Sequence, residues 1–251
     1  MCPNCRAFIT TDDKVCPYCE VQLGARAIDR RMPDGALGGL IPAAHFTTAL
    51  ILLINIGLFV ATSLDTAGAL YNAGASWGPA IAQGQWWRLI TAGFLHGGWM
   101  HLLMNSWVLY ALGAQVEETY GTARFLVIYF ASTLAGFVLS AGLGHLSVGA
   151  SAGTYGLIGA MIAFGIQQRS AELRRYFATW AAYGLVLSLL PGIDLAAHIG
   201  GLAGGFAMTM IAGQPTFREG VEKVWRYAAG FCVLLTALAF ARMFVLLSLG
   251  R

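Results

Sequence analysis

Residues 42–64 read Pro-Ala-Ala-His-Phe-Thr-Thr-Ala-Leu-Ile-Leu-Leu-Ile-Asn-Ile-Gly-Leu-Phe-Val-Ala-Thr-Ser-Leu, with no Asp, Glu, Lys or Arg. A bilayer-spanning helix needs about 20 mainly apolar residues, so this stretch predicts a transmembrane helix. Further apolar runs follow near 101–117, 123–144, 150–168, 174–190, 196–212 and 225–249, which makes seven spans. The run at 174–190 fits least well, because Arg174, Arg175 and Tyr176 stand at its start. Composition agrees: 57% of the 251 residues are hydrophobic and only 11% are charged. A soluble domain carries about 25% charged residues, so this chain lacks the charge to coat a water-facing surface. A net charge of +3, with no basic run, leaves no footprint for nucleic acid. The expected fold is an all-α polytopic membrane protein.

The segment between the first two spans, 65–100, is too long for a hairpin and holds Trp77, Trp86, Trp87, Trp99 and Phe94. Aromatic rings collect at membrane–water interfaces, so this loop is expected to lie in one. Basic residues fall on one side of the spans. Arg26, Arg30 and Arg31 precede the first, Arg169, Arg174 and Arg175 lie between the fourth and fifth, and Arg218, Lys223 and Arg226 between the sixth and seventh. The positive-inside rule then puts the N-terminus in the cytoplasm and the C-terminus outside. The start, Met-Cys-Pro-Asn-Cys, has no basic region leading into an apolar run, so no signal peptide is expected.

Residues 1–22 form a separate module, joined to the first span by a linker at 23–41. Cys2-Pro-Asn-Cys5 and Cys16-Pro-Tyr-Cys19 are matching knuckles, and each can set two thiolates at one edge of a tetrahedron. Thr10 to Asp13 would turn the hairpin between them. Four Cys close the coordination sphere, so the expected ion is a structural Zn2+ with no role in catalysis. Two disulfides are the alternative, which a cytoplasmic N-terminus disfavours. The doublet resembles small zinc ribbons at the ends of many bacterial membrane proteins, which makes a bacterial plasma membrane the expected location. A cytosolic partner is one role for such a module. Cys232, in the last span, reads as apolar filler.

Polar side chains inside spans are costly and mark functional sites by default. His101 and Asn105 are one turn apart at the start of the second span, and Ser151 and Tyr155 one turn apart at the start of the fourth. His198 opens the sixth, after Asp194. These three spans run in the same direction, so His101, Ser151 and His198 fall at one shallow depth near the outer face. A serine hydroxyl needs a base, and neutral imidazole serves near pH 7. The Asn105 amide, a His101 N–H and the Ser151 backbone N–H are candidate oxyanion donors. Gly149 with Gly153, Gly200 with Gly204 and Gly201 with Gly205 are Gly-xxx-Gly pairs that let helices approach closely. Each feature also has a plain structural explanation. A membrane serine usually bonds to its own helix, a lone histidine packs, and Asp194 is placed to cap the sixth helix.

Over residues 42–212 the chain resembles the rhomboid family of intramembrane serine proteases. The family's Gly-x-Ser-Gly falls on Gly149-Ala150-Ser151-Ala152, with Ala where Gly is usual; its His-xxx-Asn falls on His101 and Asn105. Its His followed by Gly-xxx-Gly falls on His198, Gly201 and Gly205, its loop Trp-Arg on Trp87-Arg88, and its acidic residue after helix two on Glu117. His96 matches a structural loop histidine, whereas His45 and His145 match nothing. The resemblance implies a six-helix core, here followed by a loop and seventh helix at 213–251. It implies Ser151 as nucleophile, His198 as general base, His101 and Asn105 as oxyanion support and Tyr155 as a stacking partner. The implied substrates are transmembrane proteins in the lipid bilayer, cut near the outer face without a cofactor. The competing class is a non-catalytic rhomboid-like protein that binds membrane clients; loss of Ser or His would mark it, and both are present. A transporter is more remote, because no acidic residue lies in mid-membrane.

Overall fold

A computed structural model describes Cys5 and residues 15–22, 45–216 and 218–249. The linker at 23–41 and the expected Thr10–Asp13 turn lie outside the described residues, as does Cys2.

The first span is α1 (Phe46–Leu64). The interfacial segment folds into short pieces: α2 (Ala69–Gly74), β1 (Ser76–Trp77), α3 (Gly78–Ala82) and α4 (Arg88–Thr91). Arg88 ties them together. Its Nη1 donates to the carbonyls of Asn72 at 2.6 Å and Ala75 at 2.8 Å, and its Nε donates to Gln85 Oε1 at 2.7 Å. Trp87 Nε1 donates to Ala73 O at 3.1 Å. The Trp-Arg pair is therefore a clamp that satisfies loop carbonyls, as buried backbone groups require.

The second and third spans form one continuous stretch: α5 (Trp99–Val108), a π-helical turn at Leu109–Gly113, and α6 (Ala114–Gly142). Gly121 interrupts α6 with φ 77° and ψ 158°, a conformation that favours glycine. The chain reverses there, because Glu117 and Arg124 lie at one end of the bundle, while His101 and Ser140 lie at the other. After β2 (Leu146–Ser147) come α7 (Ser151–Gln167), α8 (Ala171–Leu187), α9 (Leu195–Ala212) and α10 (Glu219–Ser248). β1 and β2 pair antiparallel, Ser76 with Ser147 and Trp77 with Leu146, joining the interfacial segment to the approach to α7.

Over the described residues each of the seven expected segments holds a helix, and the chain is an all-α polytopic membrane fold. By length and composition, Phe46–Leu64, Trp99–Gly142, Leu195–Ala212 and Glu219–Ser248 can each cross a membrane. The doubtful segment starts earlier than expected. Ser170 caps α8 by accepting from the Leu173 N–H at 3.2 Å, so Arg174 and Arg175 lie inside the helix.

At the centre stands α7, apolar on every side because it is enclosed by α6, α8 and α9. It meets α9 backbone to backbone: a Cβ on Gly201 would fall on the Ala152 carbonyl, and one on Gly205 would fall on Gly156. The outer helix α10 rests on α6 and on the interfacial segment. Ala239 and Met243 pack with Trp87 and Ile90, Cys232 is buried filler beside Val127, and Arg242 lies over the Trp87 ring at 5.6 Å. At the other end of α10, buried Glu222 forms a bidentate ion pair with Arg124. Leu53 and Val60 on α1, and Phe231 and Leu238 on α10, leave apolar faces outward.

Candidate active site

Gly149 and Ala150 bring the chain into α7, and Ser151 is the first helical residue. Position decides what its hydroxyl can do. Deeper in their helices, Ser132 donates to Ile128 O at 2.6 Å and Thr133 to Tyr129 O at 2.9 Å, the usual bond one turn back. Ser151 has no helical carbonyl one turn back. Among the described residues its hydroxyl makes no hydrogen bond.

One turn along α7, Tyr155 stacks on the His198 ring with centroids 4.0 Å apart and planes 14° apart. His198 is buried in the first turn of α9. Ser151 and Tyr155 lie one turn apart on a shared helical face, and the structure stacks the expected tyrosine on the expected histidine. A further neighbour of this stacked pair escaped the sequence reading: Ser188, at the C-terminal cap of α8, places Oγ 2.6 Å from His198 Nδ1. The Tyr155 hydroxyl lies 3.3 Å from the same Oγ. Gly184, one turn before Ser188, makes room for the Tyr155 hydroxyl, on which a Cβ would fall.

His101 and Asn105 converge on the residue two before Ser151. A Cβ on Gly149 would lie 2.7 Å from the His101 ring and 3.7 Å from Asn105 Nδ2, and Gly149 has φ 126°. This corrects one expectation. Gly149 precedes the helix rather than lining its seam, and Gly153 faces the Tyr129 ring on α6, not α9. Gly201 and Gly205 do form the seam. Gly97 N–H donates to His101 Nδ1 at 3.4 Å, so the ring proton sits on Nε2, beside Gly149. Asn105 Nδ2 donates to His101 O at 2.9 Å and keeps a second N–H.

Next to His101, loop residue His96 is 2% exposed, and burial followed by the neighbouring His101 holds its pKa down to about 4. Among the described residues, the Asp194 carboxylate makes no hydrogen bond with the His198 side chain. It caps α9 by accepting from the Ala197 N–H at 3.1 Å, accepts from the Ser140 hydroxyl, and lies 3.0 Å from His145 Nδ1. Burial alone would raise its pKa, but hydrogen bonds from Ser140, His145, Ser147 and the Ala197 backbone bring it below the usual value. His145, unmatched in sequence, is thus the partner of the cap. Glu117 works at the opposite end, accepting from the backbone N–H groups of Thr47 at 3.2 Å and Thr48 at 3.0 Å in the first turn of α1.

In the N-terminal module, the thiols of Cys5, Cys16 and Cys19 lie within 4.8 Å of one another. Cys5 Sγ and Cys16 Sγ are 3.7 Å apart. The Zn–S distance of about 2.3 Å gives a tetrahedron edge of about 3.8 Å, so these three thiols are close enough to share one metal ion. Val15 and Gln22 bridge antiparallel around the second knuckle, and Cys16 is fully buried.

The family pattern described as "Rhomboid domain" matches residues 83–215. Over 232 residues the chain is 33% identical to Rhomboid-like protease 1 of Toxoplasma gondii, covering 83% of this chain and 78% of that one. Over 174 residues it is 37% identical to Rhomboid protease GluP of Bacillus subtilis, covering 66% of this chain but only 32% of that one. Over 156 residues it is 34% identical to Putative rhomboid protease YdcA of the same organism, covering 59% and 75%.

Proposed function

This chain belongs to the rhomboid family, and from that premise we propose that it is a serine endopeptidase working through a Ser151–His198 dyad. Its protease relatives support intramembrane proteolysis of transmembrane substrates as the activity. The observation that carries the dyad is the Tyr155–His198 stack. A ring lying on Tyr155 lies on the face of α7 that also bears Ser151, whose hydroxyl is not committed to its own helix.

In this reading Ser151 Oγ attacks the scissile carbonyl while His198 Nε2, the ring nitrogen not engaged by Ser188, takes its proton. The same nitrogen returns the proton to the leaving amine and then activates the water that releases the acyl group. The oxyanion forms beside Gly149, within reach of the Ser151 backbone N–H, His101 Nε2–H and the second Asn105 N–H. Asp194 is a helix cap and not a third member. Basic loops orient the chain with its N-terminus in the cytoplasm and its C-terminus outside, so the site opens near the outer face. Retention of Ser151 and His198 speaks against the client-binding class.

Cys2, Cys5, Cys16 and Cys19 would hold a structural Zn2+ that fastens a module too small to build its own core. Purified protein should release about one zinc per chain to a thiol-blocking reagent and keep its cleavage activity; loss of cleavage on metal removal would contradict a purely structural ion.

The direct test uses a reporter transmembrane substrate with the wild type, Ser151→Ala and His198→Ala. Both variants should be inactive at wild-type yield. Cleavage by Ser151→Ala would sink the proposal and return client binding to first place.

A further inference from the structure

A histidine base needs its proton on the correct nitrogen, and His198 has no acid on Nδ1. Asp194, the acidic residue closest in sequence, is committed to Ser140, His145 and the Ala197 N–H. The atom that meets Nδ1 is Ser188 Oγ, at 2.6 Å, on a residue only 3% exposed. A hydroxyl has one proton and two acceptor positions. Ser188 Oγ lies 2.7 Å from Gly184 O, where its proton makes the usual bond one turn back along α8. Its two lone pairs then face two donors, the Tyr155 hydroxyl at 3.3 Å and His198 Nδ1–H at 2.6 Å. Each polar position of the serine is used once. If Ser188 instead gave its proton to Nδ1, the ring hydrogen would sit on Nε2, which could then take nothing from Ser151.

We propose that Ser188 is a positioning residue that holds His198 in the Nδ1–H tautomer, leaving Nε2 as proton acceptor for Ser151. This inference rests on the Ser151–His198 reading. It explains how the base is oriented without a buried carboxylate, whose desolvation is costly among these apolar helices. It also predicts where the benefit appears. When Nε2 takes the proton, the bond from Nδ1–H to Ser188 becomes charge-assisted and strengthens. An interaction that strengthens only as charge develops raises kcat and leaves substrate binding unchanged. Tyr155, stacked on the ring, fixes its plane, while Ser188 fixes its proton.

Two measurements test this. The first is the nitrogen NMR spectrum of histidine-labelled Ser151→Ala protein at neutral pH, with the His198 signals identified by their loss in His198→Gln. It should show Nδ1 protonated and Nε2 bare; the opposite tautomer overturns the proposal. This readout needs neither activity nor any change at Ser188, so it decides even if a Ser188 variant folds poorly. The second is the kinetics of Ser188→Ala on a transmembrane substrate, where kcat should fall about tenfold with KM within about twofold, on the scale of one lost hydrogen bond. An unchanged kcat in a folded variant overturns the proposal. Cleavage by Ser151→Ala would instead remove the dyad itself, a failure distinct from either result at Ser188.

Discussion

Gly201→Ala adds a single carbon at the contact that joins the two halves of the site. Its Cβ would land on the carbonyl of Ala152, the residue after Ser151, with the Ala152 carbonyl carbon 2.8 Å away and its Cα 3.0 Å away. The obstacle is backbone, so no rotamer change relieves it, and α7 and α9 must part. Overpacking of this kind costs about 1–3 kcal/mol, and backbone contact places this site toward the upper end. Gly57→Ala is the matched control. A Cβ there meets nothing within 4 Å, and replacing an exposed helical Gly with Ala gains about 0.5–1 kcal/mol. The assays are thermal unfolding in detergent and turnover of a transmembrane substrate. Gly201→Ala should melt below the wild type and Gly57→Ala at or above it. Turnover should fall by about 100-fold in Gly201→Ala, since a shift of about 1 Å in reacting groups has that effect. If Gly201→Ala matches Gly57→Ala in both assays, α7 and α9 are not locked together at this point and the packing account of the site is wrong.

Other changes should act through single named contacts. Arg124→Ala strands the buried Glu222 carboxylate, and thermal unfolding should show a loss of about 3–5 kcal/mol; an unchanged transition would mean that α10 is held by its apolar contacts alone. His96 has a folded pKa of about 4 against 6.5 for an ordinary histidine, so the unfolded chain binds more protons between these values. As pH drops from about 6.5 to 4, the wild type should therefore lose about 3 kcal/mol more stability than a His96→Gln variant; an equal slope in both would clear His96. Asp194→Asn keeps a capping side chain but loses its charge beside His145, so turnover should stay within about tenfold of wild type. A drop of several orders of magnitude would make Asp194 part of the proton-transfer machinery.

Neighbour relations that depend on local spacing were legible in the sequence. His101 and Asn105 share a helical face and both meet Gly149, while Tyr155, one turn from Ser151, stacks on His198. Asp194 reads as a cap because it stands just before an apolar helical run, and it is one. Contacts between distant segments were not legible. Nothing near Ser188 distinguishes it from any serine at a helix end, and only the packing of α8 beside α9 puts its hydroxyl on the His198 ring. Arg124 and Glu222 stand 98 residues apart in sequence, and only folding pairs them across the bundle. Gly149 misled for a related reason: the spacing to Gly153 implies a helical seam only if both residues are helical, and α7 begins at Ser151.

The central claim is that Ser151 carries a hydroxyl activated by His198, and covalent trapping tests it most directly. A fluorophosphonate should form one adduct per chain on purified protein, mapped by peptide mass spectrometry to Ser151. Phosphonylation needs an activated oxygen, which a serine bonded into its own helix does not offer. Ser151→Ala should abolish the adduct and His198→Ala should reduce it nearly as far, with Asn105→Ala keeping labelling better than turnover. An adduct that persists in Ser151→Ala, or labelling of Ser151 unaffected by loss of His198, would contradict the account.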